Sequence, residues 1–218
     1  PLLVVVPTLE EAGRWTALLE LMGWSQASLY PTSEGSPYEP FDPTSEITWG
    51  QLQVLSDLLG EPNAASWAIV ATERCLQPHL PPPDVLKTKT RTLRKGDEVD
   101  LEALGETLAQ LGYERVTTIE QEGSWSRRGD IVDIFPVSSE LPVRLEFFGE
   151  ELDKLREFDP ASQRSLDPVD ALRLTPTGFG PLIADQLRET MPDGLEQLLG
   201  SEGTEQLLNG GTPEGMRR

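Results

Sequence analysis

The sequence predicts an α/β chain written in two grammars, a parallel α/β layer followed by an α+β unit built on an antiparallel sheet. Three observations predict it. The opening stretch alternates short apolar runs with segments of helical period, as βαβ layers do. From Tyr113 onward the apolar period becomes two, as in antiparallel strands. Between these stretches Pro81-Pro82-Pro83 stiffens the chain where the composition changes.

Each element can be justified in order. Leu2-Leu3-Val4-Val5-Val6 is an unbroken apolar run and reads as a buried parallel strand. Pro7-Thr8 stops it, and Thr8 with Glu11 forms a capping box, so a helix is expected over about 9–22. Ala12, Trp15, Leu18, Leu19 and Met22 recur at helical spacing and form its expected inward stripe, ended by Gly23. Ala27 to Tyr30 reads as a short strand, and four prolines make Pro31 to Pro43 a loop. A second helix is expected over about 46–59, with Ile47, Leu52, Leu55, Leu58 and Leu59 inward and Gly60 at its end. Trp67 to Thr72 is another buried strand.

After the prolines, Lys87, Lys89, Arg91, Arg94 and Lys95 read as a basic, solvated linker. Asp97 or Asp100 then caps a helix whose stripe is Leu101, Leu104, Leu108 and Leu111. Strands are expected at about 115–120, 125–128, 131–135, 142–148, 152–158 and 169–174, with a tight hairpin at Phe148-Gly149-Glu150-Glu151. From Pro176 the chain is weakly helical, with Leu182, Leu187, Leu195, Leu198, Leu199, Leu207 and Leu208 between glycine-rich breaks. It opens at once on a strand and stops at Arg217-Arg218 without completing an element, and so reads as a piece of a longer protein. The boundary between the two grammars falls near 85–90.

Composition narrows the function. The 218 residues carry 18 basic and 37 acidic side chains, a net charge of −19, which disfavours a broad nucleic-acid face. A hydrophobic content of 37% against 25% charged argues against a disordered acidic tail. No apolar run approaches the ~20 residues that cross a bilayer. Cys75 and His79 are the only residues of their kinds, which argues against a disulfide framework and a structural zinc site and fits a reducing cytosol. Thirteen of the 18 cations fall within 85–175, so an acidic partner would be gripped there.

Catalytic motifs are missing. No G-x-x-x-x-G-K-[ST] loop and no Gly-Lys pair occurs, and there is no G-x-S-x-G elbow. Gly96-Asp97-Glu98 reads as a helix cap and Glu150-Glu151 as a solvated turn. A binding module is the better class. Strand parity then marks one segment. Val143, Leu145 and Phe147 share one face and read as core, while Arg144, Glu146 and Phe148 share the other. A cation, an anion and a large aromatic side by side are what interface hot spots use. The competing account has Phe148 capping the core edge and Arg144 paired with Glu146 or Asp133.

Residues 111–165 add long motifs: Leu111-Gly112-Tyr113-x-Arg115-Val116, Ser126-Arg127-Arg128-Gly129, Ile131-Val132-Asp133-Ile134-Phe135-Pro136, Leu141-Pro142-Val143-Arg144-Leu145-Glu146-Phe147-Phe148-Gly149 and Phe158-Asp159-Pro160-x-x-Gln163-Arg164-Ser165. This block resembles the bacterial transcription–repair coupling factors, in the module they share with the UvrB protein of the excision nuclease. Val6-Pro7-Thr8 and Pro37-Tyr38-Glu39 carry the likeness, more loosely, into the first segment. UvrB carries a tyrosine-rich, DNA-inserting hairpin where residues 29–50 here have only Tyr30 and Tyr38, so the coupling factors are the nearer likeness.

The resemblance implies a vestigial helicase-like layer over 1–89, an inserted domain over 90–170, and the truncated start of the layer's second half over 171–218. It implies a cytoplasmic, non-catalytic module without cofactor or membrane, whose inserted domain recruits UvrA, the damage-recognition ATPase of the excision nuclease. RNA polymerase, duplex DNA, ATP and Mg belong to other parts of the parent, an ATP-dependent translocase. The family's partner-binding residues carry over onto Arg128, Arg144 and Phe148, with Arg127 and Glu146 beside them. Because outward residues add little to a core, removing Arg144 or Phe148 should barely alter stability. The alternatives are a helicase lobe of the UvrB kind and a DNA-clamping surface on the 87–95 cations.

Overall fold

The computed structural model describes residues 2–32, 46–59, 67–76, 80, 82–137, 139–182, 196–197 and 200–205. Pro37, Tyr38, Glu39 and Pro43 of the expected loop, Gly60, His79, Pro81, and the tail residues Leu187, Leu195, Leu198, Leu199, Leu207, Leu208, Arg217 and Arg218 lie outside them.

The first layer runs β1 (Leu2–Val6), α1 (Leu9–Leu21), β2 (Gln26–Leu29), α2 (Glu46–Leu59), β3 (Trp67–Thr72). Its strands are parallel in the order β1-β3-β2, with Leu2 opposite Ala68 and Gln26 opposite Trp67. Helix α1 starts where Thr8 Oγ1 accepts the Glu11 N–H at 3.2 Å. Alternation along β3 sends Ala68 and Val70 toward Ala12 and Leu19, and Ile69 and Ala71 toward Tyr30 and Val54. The expected stripe on α1 is narrower than its sequence suggests. Only Ala12 and Leu19 are buried, while Trp15, Leu18 and Met22 are 41%, 48% and 71% exposed. Among the described residues the sheet has three strands, too narrow a floor to cover more than one line of side chains. For the same reason Leu58 of α2 is exposed, and Val54, outside its expected stripe, is buried.

A 3-10 turn (Glu73–Leu76) and α3 (Pro83–Thr88) lead into the second unit. It comprises β4 (Arg91–Arg94), α4 (Leu101–Gln110), β5 (Glu114–Arg115), β6 (Ser124–Arg128), β7 (Ile131–Phe135), β8 (Val143–Phe148), β9 (Glu151–Phe158), β10 (Ser165–Pro168) and β11 (Ala171–Leu174). The basic stretch expected as a linker is therefore ordered. It ends α3 and forms β4, which pairs antiparallel with β11, so that Leu93 faces Leu172 inside the core. One apolar residue among cations sets no period, and the strand that completes it lies far along the chain. Residues 171–174 thus add Leu172 and Leu174 to the core of the unit that the sequence ends at 170.

Asp100 is the cap of α4, its Oδ1 accepting from Glu102 N at 2.8 Å and Ala103 N at 3.2 Å. Asp97 instead closes the preceding turn, accepting from Arg94 N at 2.8 Å. Leu104 and Leu108 are fully buried against a six-stranded sheet of order β10-β9-β8-β7-β6-β5. Each such leucine contributes roughly 1.5–3 kcal/mol of burial. The helix lies close: a Cβ at Gly105 would stand 3.0 Å from Trp125 Cη2. The sheet is antiparallel except for β5, which pairs parallel with β6. The strand expected at 115–120 is only Glu114–Arg115, because the chain then crosses to the sheet's other face. There Ile119 joins Phe135 and Phe158 in a small second core. Among the described residues no helix is long and apolar enough to cross a membrane.

Candidate docking face

The hairpins set the candidate residues in rows. Arg128 stands opposite Ile131, Ile131 opposite Glu146, and Glu146 opposite Lys154. The next row is Ser126, Asp133, Arg144 and Arg156. Period two puts both rows on the face away from α4. Between Glu146 and Phe147 the β8–β9 register slips, leaving Asp153 unopposed and setting Phe147 against Leu152. Alternation along β8 sends Phe148 outward, and the slip, one extra residue in β9, keeps Phe147 and Leu152 buried together. Gly149, at φ 66, makes the turn beyond. Phe148 is 84% exposed, and Ile131 nearby is 38% exposed. Phe148 caps no core edge.

The candidate arginines differ. Arg128 is exposed, donates from Nη2 to Thr117 O at 2.9 Å, and makes no ion pair among the described residues. Arg144 is braced inside the sheet. Its Nε and Nη2 donate to Asp133 Oδ1 and Oδ2 at 2.7 and 2.9 Å, and Asp133 is 2% exposed. Its guanidinium carbon lies 4.7 Å from the Phe158 ring centroid, over the second core. The bidentate bond to Asp133 holds the Arg144 guanidinium above its usual range. The expectation that Arg144 is an outward residue of little structural weight is therefore corrected. Strand register hands Arg144 to Asp133, and of the two only Arg128 presents a charge unpaired among the described residues.

Arg127 belongs to the opposite face. Its row is Val132, Leu145 and Leu155, all core, and its Nη1 donates to Glu102 of α4 at 2.6 Å. Glu146 lies on the outward face but is paired with Lys154 Nζ at 3.4 Å. The structure thus brings Arg128, Glu146 and Phe148 to one outer strip, with Arg144 beneath it. Sequence reasoning missed Ile131, Lys154 and Arg156 on the same face. The parity of the strand at 131–135 would have marked Ile131, since it pairs with Glu146.

Chemically this is a surface for contact. A large exposed apolar ring on the same face as a guanidinium without an ion pair among the described residues suits burial against a partner bearing carboxylates. Among the described residues no group of three or more His, Cys, Asp or Glu side chains could hold a metal ion.

Residues 92–178 match the family model of the UvrB interaction domain. The chain is 32% identical to the transcription-repair-coupling factor of Haemophilus influenzae over 79% of its length and 15% of that protein's. Against the Escherichia coli protein of the same name the identity is 34%, over 66% of this chain and 12% of the relative. The Bacillus subtilis factor is 30% identical over 81% of this chain and 15% of its own length. The chain spans about a seventh of these curated relatives or less.

Proposed function

Because residues 92–178 belong to the UvrB interaction domain family, we propose that this chain is an adaptor module of a transcription-repair-coupling factor. Through the outward face of its six-stranded sheet it docks UvrA, bringing damage recognition to lesions where RNA polymerase has stalled. The observation that carries the reading is Phe148, 84% exposed within a domain whose family is defined by interaction. An aromatic ring of that size left in water is explained by a partner that covers it. The similarity to coupling factors supports this reading over a UvrB helicase lobe. The module itself works without cofactor. RNA polymerase, duplex DNA, ATP and Mg are engaged by the remainder of the parent, an ATP-dependent translocase, in the cytoplasm.

The direct test is calorimetric titration of purified UvrA with the chain and with Arg128→Ala. Saturable one-to-one binding is expected, weakened about tenfold by the substitution. The melting temperature should stay put, since among the described residues the exposed guanidinium holds only one backbone carbonyl. No heat of binding from the unsubstituted chain at tens of micromolar would sink the adaptor reading.

A second expectation separates adaptor from motor. With a net charge of −19 and no phosphate loop in its sequence, the chain should neither turn over ATP nor hold duplex DNA tightly. Magnesium-dependent phosphate release above a buffer blank would favour the helicase-lobe reading. Submicromolar DNA binding at physiological salt, read by fluorescence anisotropy, would favour the clamp.

A further inference from the structure

The turn between β9 and β10 holds the one non-glycine residue with positive φ among the described residues, Gln163 at 59°. Left-handed backbone is disfavoured for a side chain such as glutamine, and it persists where surrounding contacts hold it. Those contacts are specific. Gln163 Nε2 donates to Pro160 O at 2.7 Å within its own turn and to Ile119 O at 3.1 Å across it. Two carbonyl acceptors fix which end of the amide faces them. The turn is closed by Gln163 N donating to Asp159 O at 2.7 Å and Asp159 N donating to Arg164 O at 3.0 Å. Asp159 also accepts from Ala161 N at 2.9 Å and from Ser162 Oγ at 2.7 Å, and these bonds, the hydroxyl's first, hold its carboxyl below the usual range.

What Gln163 grips connects both candidate arginines. The crossing segment that carries Ile119 also carries Thr117, whose carbonyl accepts from Arg128 Nη2 at 2.9 Å. The carbonyl of Gln163 itself accepts from Arg144 Nη1 at 3.5 Å. One side chain therefore pins the backbone that orients Arg128, while its own backbone meets Arg144.

We infer that Gln163 is a positioning residue of the docking face: its amide, locked in a left-handed turn, sets the crossing segment and through it the direction of Arg128. The inference rests on the adaptor reading and deepens it. It makes the geometry of the face depend on a residue that need not touch the partner.

The test is a double-mutant cycle between Gln163→Gly and Arg128→Ala, read as affinity for purified UvrA with thermal melts of every sample. Glycine relieves the backbone while removing the side-chain amide, so the two effects partly offset and the melting temperature should fall by no more than a few degrees while affinity falls about tenfold. In the Arg128→Ala background the same change should cost about threefold or less, because the group it orients is gone. Gln163→Glu supplies a second probe. It keeps the volume but sets an acceptor against the Ile119 and Pro160 carbonyls, so it should lose affinity as glycine does. Equal losses in both backgrounds, or full affinity in Gln163→Gly while Arg128→Ala binds weakly, overturn the positioning role and leave the adaptor reading standing. Full affinity in Arg128→Ala and in a Phe148→Ala control overturns the docking face itself, and with it any role of Gln163 in docking.

Discussion

Replacing Phe148 with alanine is expected to weaken binding of UvrA about thirtyfold and to leave the melting temperature almost unchanged. The ring is 84% exposed, so folding buries little of it and its removal takes little from the core. Docking would bury it. An apolar anchor at the centre of an interface typically contributes about 2 kcal/mol or more, which is roughly thirtyfold in affinity. Its setting favours that role. The alternation of β8 turns it outward, and Ile131 and Arg128 lie on the same face. The two effects are measured on one preparation, by titration calorimetry and by thermal melts. Unchanged affinity would remove Phe148 from the interface. A large fall in melting temperature would give it a structural role that its exposure does not suggest.

Arg144→Ala should behave in the opposite way. The strand pattern alone groups Arg144 with Phe148 as an outward residue of little structural weight, but its guanidinium neutralises Asp133, which is 2% exposed. Breaking such a pair strands a buried carboxylate and costs about 3–5 kcal/mol. The stack on Phe158 is lost as well. In a chain of this size the melting temperature should fall on the order of 10 °C. UvrA would then bind weakly because the sheet is damaged, whatever Arg144 contributes directly. Adding Asp133→Leu to Arg144→Leu removes both charges and should recover part of the loss, since apolar replacements of buried pairs are often tolerated. A melting temperature for Arg144→Ala equal to that of the unsubstituted chain would show that the pair carries no such weight.

The contrast between these residues marks where the sequence was legible. Strand parity assigned Val143, Leu145 and Phe147 to the core and Arg144, Glu146 and Phe148 to the other face, because a period of two is a local property. The elements of the first layer were legible for the same reason, since its apolar runs and capping residues lie within single elements. Strand β1, however, expected to be buried, is an edge strand among the described residues and leaves Leu2, Leu3 and Val5 exposed. Partner choice is not local. Asp133 and Glu146 were equal candidates for Arg144 until the β7–β8 register set Asp133 directly opposite. Arg127 and Arg128 look alike in sequence, yet one residue of offset sends Arg127 to Glu102 and Arg128 to the outer face. Strands β4 and β10 were missed because neither shows alternation: β4 has one buried apolar residue among cations, and β10 contains Asp167 and Pro168. The left-handed backbone of Gln163 is held partly within its own turn, at Pro160, and partly by Ile119 far back in the chain, and the second contact is not local to read.

Strand β4 begins its pairing with Arg91 directly opposite Leu174 of β11. The chain therefore leaves for the second unit and returns from it at nearly the same point, with the two Cα atoms on the order of 5 Å apart as in any antiparallel pair. Such a unit can be carried by a host as though it were a short loop. The host need only offer two adjacent backbone positions, one where the chain departs and one where it returns. The clasp of β4 and β11 closes the unit at its base, and just beyond it Thr177 N donates to Leu111 O at 2.9 Å, so the returning chain stays fastened to the unit it has left.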